Sequence, residues 1–231
     1  MGLTDFPLGA LIYIFNGTMA FWYGLRMRRA YFKVGNEYSH MFFVVGVGVG
    51  IAEYLYGIAW FAPVDAKVRG LSYLIASLFL FGGLLYALKF VLRTLLFIKF
   101  EKIVTFLFPV VVALFFIAHL KAIPEPNLIE YGFINWQVQY PFDVIWSLLL
   151  FLVTVMPGIY FVLIPVAGLR AILKKIFFGL TMFLGGSGGI ILVIFDSSTS
   201  LIIWGFVIQT IGFIFLGSIF LLDYFIEERE S

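Results

Sequence analysis

The 231-residue chain has no cysteine, only two histidines, and few charges: 12% of its residues are Asp, Glu, Lys or Arg. Without cysteine there are no disulfides, no thiolate metal sites and no cysteine nucleophile. His40 and His119 fall at opposite ends of two different apolar segments. They cannot share a metal or ligate one haem b, which speaks against cytochrome-b-like subunits and hydrolases built on clustered histidines. Taken singly, each histidine reads as an interfacial polar residue. The low charge excludes more. A soluble domain of this size carries about 25% charged residues, whereas here 63% are hydrophobic and the mean hydropathy is +1.08. Too little polar surface exists to coat a water-soluble globule, and the bilayer is the solvent that accommodates the rest. A net charge of +2 implies no nucleic-acid partner.

The chain is therefore expected to be an all-α integral membrane protein, a single seven-transmembrane helix bundle over residues 1–231. A helix needs roughly 20 apolar residues to cross the hydrocarbon core. Such spans lie near 6–25, 40–62, 70–92, 102–120, 142–167, 173–195 and 200–222. No basic stretch followed by a short apolar core and small-residue cleavage site begins the chain, so no signal peptide is expected. Twelve of the 15 lysines and arginines fall on alternate connections: Arg26, Arg28, Arg29 and Lys33, then Lys89, Arg93, Lys99 and Lys102, then Arg170, Lys174 and Lys175, and last Arg229. Only Lys67, Arg69 and Lys121 fall on the others. The positive-inside rule then puts the N-terminus outside and the C-terminus in the cytoplasm of a multi-pass cell-membrane protein. Lys89 is close enough to its helix end to snorkel to the headgroups.

The longest connection, residues 121–141, lies on the outer side between helices 4 and 5. Pro124, Pro126 and Gly132 break any helix there. Residues 133–140 alternate enough for a short strand. The plainer reading is an interfacial cap lying flat, with Tyr131, Trp136 and Tyr140 at headgroup level.

Several chemistries drop out. Residues 199–222 contain no lysine, which a microbial rhodopsin needs there for its retinal Schiff base, so neither retinal nor any other cofactor is expected. Gly185-Gly186-Ser187-Gly188-Gly189 superficially resembles the GxSG serine motif of rhomboid intramembrane proteases. No histidine follows on the last helix, and a serine without a base is a poor nucleophile. No catalytic residue and no metal site are expected. The 29 phenylalanines are mostly matching to lipid.

Polar residues inside the spans remain. Glu53 is a carboxylate deep in span 2, with Tyr56 and Gly57 on roughly the same face. Asn16 in span 1 and Gln209 in span 7 fall at similar depth. In a ring of seven consecutive helices, spans 1, 2 and 7 adjoin, which makes Asn16, Glu53 and Gln209 a candidate ligand or ion site. Ionisable groups at that depth are costly and face the interior or a wet cavity. The competing reading is a structural knot, Glu53 hydrogen-bonded to an amide.

Glycine is the second feature. Gly46, Gly48 and Gly50 in span 2, and the stretch Gly185-Gly186-Ser187-Gly188-Gly189 in span 6, each contain a GxxxG spacing whose commonest meaning is close helix packing. The alternative is that helices 2 and 6 are broken, exposing backbone to a substrate. Spans 1–3 and 5–7 around a linking span 4 form a 3+1+3 plan, which resembles in topology alone that of sugar transporters of the SWEET type. Their proline–glutamine signature is absent and no residue role carries over. Pro157 and Pro165 are expected to kink span 5.

Three functions are weighed from this. The first is a non-enzymatic sensing or transducing bundle, or an accessory membrane subunit, that binds a small ligand and signals to a cytoplasmic or membrane partner. The basic residues 26–33 and the acidic Glu227, Glu228 and Glu230 would form its inner face, although topology and lipid headgroups explain those charges equally. The second is a transporter or channel for an ion or small solute using Glu53 and glycine-interrupted helices 2 and 6. The third, a lipid-modifying enzyme, lacks an acid–base pair at one depth.

Overall fold

The computed structural model of the chain describes residues 7–61, 66–95, 98–129, 132–195 and 198–230. Seven helical segments among them are long and apolar enough to cross a membrane. Helices α1 (Leu8–Val34), α2 (Glu37–Phe61), α3 (Ala66–Thr94) and α4 (Ile98–His119) come first. The fifth segment is composite: α5 (Phe142–Leu150), a π-helical turn (Phe151–Val155) and α6 (Met156–Leu163). Helices α7 (Leu169–Ile194) and α8 (Thr199–Glu230) complete the bundle.

Helix ends differ from the hydropathy reading for local reasons. The basic segment 26–33, expected as a loop, is the last two turns of α1. Arg, Met, Lys and Ala are good helix formers, and α1 stops only at Gly35, whose φ of 69° provides a left-handed cap with its N–H on Tyr31 O. Hydropathy marks where lipid ends, which is not where backbone hydrogen bonding ends. At the fifth segment, Pro157 lies in the first turn of α6 directly after the π turn. A proline there withdraws a donor from the preceding ladder. Pro165 ends the segment at Leu163 instead of kinking it, because the residue before a proline is pushed to extended backbone, as Ile164 is with ψ 129°.

The helices pack in chain order: α2 sits between α1 and α3, α7 sits between α6 and α8, and α1 meets α8. Two three-helix halves result, with α4 leaning on α3 from outside, its Phe106 72% and Leu114 62% exposed. Glycine sets the helix separations. A Cβ on Gly46 would lie 2.6 Å from the Gly24 Cα, and one on Gly48 would lie 2.7 Å from the Gly83 Cα. A Cβ on Gly188 would lie 2.6 Å from Gly205 O. Both glycine-rich helices run unbroken. The interrupted-helix reading is thereby corrected: with no Cβ in the way, backbone packs on backbone and the helical hydrogen bonds stay intact.

At the end where α1 finishes, Arg93 bridges Glu37 at 2.8 Å and Glu101 at 3.3 Å, and Lys89 reaches Glu101 at 3.5 Å. Lys89 thus pairs with a nearly buried carboxylate on α4. The side chains of Glu227, Glu228, Arg229 and Glu230, and all of Tyr131, lie outside the described residues.

The long connection at the opposite end is not a flat cap. Asn127–Leu128 (β1) pairs antiparallel with Ile134–Asn135 (β2), and the chain then dips between the helices. Phe133, Ile134, Trp136 and Val138 are all buried, whereas Tyr140 is 81% exposed. Tight glycine contacts seat it: a Cβ on Gly9 would come 2.7 Å from Gly132 O, and Gly70 abuts Pro124 O. An indole at headgroup level finds water for its N–H; Trp136 finds a tyrosine hydroxyl inside the bundle instead.

Candidate functional site

Glu53 lies 16 residues from the start of α2 and 8 from its end, or about 12 Å of helix rise from the end nearer the loop. Its side chain is 2% exposed. Gln209 of α8, also buried, donates from Nε2 to Glu53 Oε1 at 2.8 Å. An ionised Glu53 only accepts, which matches the amide nitrogen turned toward it. Asn16, fully buried on α1, faces the same carboxyl but makes no hydrogen bond of ordinary geometry. The three residues expected to meet do meet, because Gly17 lets α1 approach α2 until a Cβ there would be 3.1 Å from Gly50 O and 3.2 Å from Glu53 Cβ.

The cluster is under-satisfied. Glu53 Oε2, Gln209 Oε1 and both amide atoms of Asn16 are buried without a hydrogen-bond partner. Each such group costs roughly 1–3 kcal/mol relative to a paired one, and native proteins leave few of them. A bound group able to donate to these oxygens would recover that energy.

Beside them lies a cavity of about 80 Å³. Glu53, Gln209, Tyr56 and Gly186 line it, together with residues from both halves of the bundle. Ser187 and Gly188 do not. Ser187 is half-buried on another face of α7. Gly188 seats α8, since a Cβ there would lie 2.7 Å from the Gln209 backbone nitrogen. Asn16 stands behind Glu53, off the cavity wall.

The wall nearest the loop is aromatic. Trp136 donates its indole N–H to the Tyr13 hydroxyl at 3.0 Å, and their rings meet Tyr56 and Tyr73 at centroid distances of 5.1–5.4 Å. Ser77 is the polar hub: it donates to Tyr73 O at 2.9 Å and accepts from the Trp146 indole at 3.1 Å. With its one proton used, Ser77 must be the acceptor for the Tyr56 hydroxyl, 3.2 Å away. The Tyr73 hydroxyl has no partner.

No known protein family, curated protein or solved structure matches this chain. The functional reading therefore rests on the site.

Sequence reasoning missed Tyr13, Ser77, Trp136 and Trp146. Tyr13 carried a signal: it precedes Asn16 by three residues, as Phe206 precedes Gln209, so each aromatic shares a helix face with its amide. Trp136 carried none, because its place depends on a loop folding inward. His119 also departs from expectation. It is fully buried, stacked on Phe142 at 4.3 Å and 5°, with both nitrogens unpartnered; the α5 start covers what would otherwise be an interfacial ring. His40, in the first turn of α2, is exposed at the other end.

Proposed function

We propose that this chain is a non-enzymatic, multi-pass protein of the cell membrane that binds a small molecule in the cavity beside Glu53 and Gln209. It acts as a sensing or transducing bundle, or as an accessory membrane subunit, without a cofactor. The observation that carries this reading is the coincidence of an internal cavity with unpaired buried oxygens from α2 and α8, one helix from each half. A ligand that engages Glu53 and Gln209 changes the hydrogen bond linking the halves, which is how occupancy becomes a shift felt by a cytoplasmic or membrane partner. A ligand with no differential contact between two arrangements would transmit nothing.

A transporter is the second reading, favoured by the position of the cavity between two three-helix halves, the usual place for an alternating-access site. Proteoliposome flux separates the two. Ligand binding without flux supports the sensor or subunit, whereas flux abolished in Glu53→Gln supports the transporter. Absence of binding by any small molecule in a folded sample removes both.

The orientation we propose, N-terminus outside and C-terminus cytoplasmic, rests on the twelve basic residues grouped at one end. The chain has no cysteine, so single-cysteine labelling is free of background. Lys121→Cys should react with an impermeant maleimide in intact cells, and Arg170→Cys only after permeabilisation. The reverse pattern inverts the topology.

A further inference from the structure

The cavity states something about the charge of what it holds, an inference that rests on the ligand-binding reading above. We infer that its ligand is a protonated organic amine with an apolar body, its ammonium placed at Glu53 and Gln209 and its body along the aromatic and aliphatic walls.

Glu53 is the sole acidic residue among those lining the cavity, and none of the lining residues is basic. An anionic ligand would enter with no countercharge. Of the unpaired groups on the wall, the Tyr73 hydroxyl can donate or accept, whereas Glu53 Oε2 and Gln209 Oε1 are bare oxygens. These two require donors, and an ammonium brings up to three N–H donors and no acceptor. A ligand recognised through carbonyl or phosphate oxygens would leave both of them orphaned. Bonds from a charged donor to a carboxylate are also the strong class, roughly twice the neutral kind.

The rest of the wall fits a cation that carries carbon. Tyr13, Tyr56 and Trp136 present three rings to one another at centroid distances of 5.3–6.4 Å. Such faces attract an ammonium within about 6 Å, more strongly when it is desolvated. Farther along, Val45, Leu80, Leu84 and Leu216 offer no polar group, which suits an alkyl or aryl tail. A bare Ca2+ or Mg2+ takes six or more oxygen ligands, and the unpaired oxygens on this wall number three.

The test uses the full chain in lipid nanodiscs and a series of primary amines, n-hexylamine, 2-phenylethylamine and tryptamine, each measured calorimetrically beside its neutral alcohol. Saturable binding of at least one amine is expected, at least about tenfold tighter than its alcohol and at least about tenfold weaker in Glu53→Gln, since a bond to a charged group is lost. Added NaCl should not displace it, because a buried pair is little screened. Alcohols binding as tightly as amines would overturn the amine assignment while leaving the small-ligand cavity standing. Displacement by NaCl would overturn it in favour of an inorganic cation. Binding by neither series would overturn it and remove the ligand-binding reading as well. Where Glu53→Gln fails to fold, the amine–alcohol comparison on the unsubstituted chain decides.

Discussion

The hydrogen bond between Gln209 and Glu53 can be isolated by a double-mutant cycle with leucine, whose volume suits both positions. Gln209→Leu alone removes the 2.8 Å donor to Oε1 and leaves a buried carboxyl with two unpaired oxygens. Glu53→Leu alone strands the Gln209 amide. Each single change should cost about 1–3 kcal/mol, the usual penalty for an orphaned buried group. The double replacement strands neither, and also deletes Glu53 Oε2 and Gln209 Oε1, which are unpaired already. It should therefore cost far less than the sum. Hydrogen bonds inside membrane bundles average about 0.6 kcal/mol in such cycles and reach about 1.7. The carboxyl partner places this one near the top, at about 1–1.7 kcal/mol of coupling. For a chain of this length that is about 2–7 °C in unfolding temperature. Thermal unfolding in one detergent at one scan rate, followed by tryptophan fluorescence, reads all four proteins. Strictly additive losses would refute the coupling and, with it, the idea that this contact ties the halves together.

Gly46→Ala places a methyl 2.6 Å from the Gly24 backbone and should lower stability by about 1–3 kcal/mol. Gly82→Ala meets no atom within 4 Å and should be neutral or up to about 1 kcal/mol stabilising; equal effects in thermal unfolding would sink the packing account of the glycines. Trp136→Ala should open the cavity at the loop end, so that a single cysteine replacing the buried Leu80 reacts faster with a water-soluble thiol reagent; an unchanged rate would show that the loop does not close it. Arg93→Gln leaves Glu101 with Lys89 alone and should cost no more than about 1 kcal/mol, a loss that shrinks in high salt because Arg93 is partly exposed. A larger, salt-independent loss would mean the ion pairs anchor α4 outright.

Where sequence reading stopped can be followed residue by residue. Asn16, Glu53 and Gln209 were legible because polar side chains in apolar helices stand out, and because consecutive helices in a closed ring bring spans 1, 2 and 7 together. The glycines were legible as a choice between packing and breakage. Only the partner atoms, Gly24 for Gly46 and Gly83 for Gly48, decided it. Ser187 and Gly188 looked like site residues from composition, yet the rotation of α7 turns Gly186 to the cavity and carries its two successors away. The basic residues 26–33 were read as a loop because charge tracks the edge of the lipid, not the end of a helix.

By itself the sequence determined the solvent and the scaffold: too few charges for water, seven apolar runs of membrane length, and a carboxylate deep in the second of them that must find company. These follow from local composition and the fixed rise of a helix. The tertiary structure alone decided that residues 133–138 fold inward, that Trp136 closes on Tyr13, and that Glu53 and Gln209 each keep an oxygen free beside a cavity. Such facts depend on how separate segments are rotated and spaced against one another, and no periodicity along the chain encodes that.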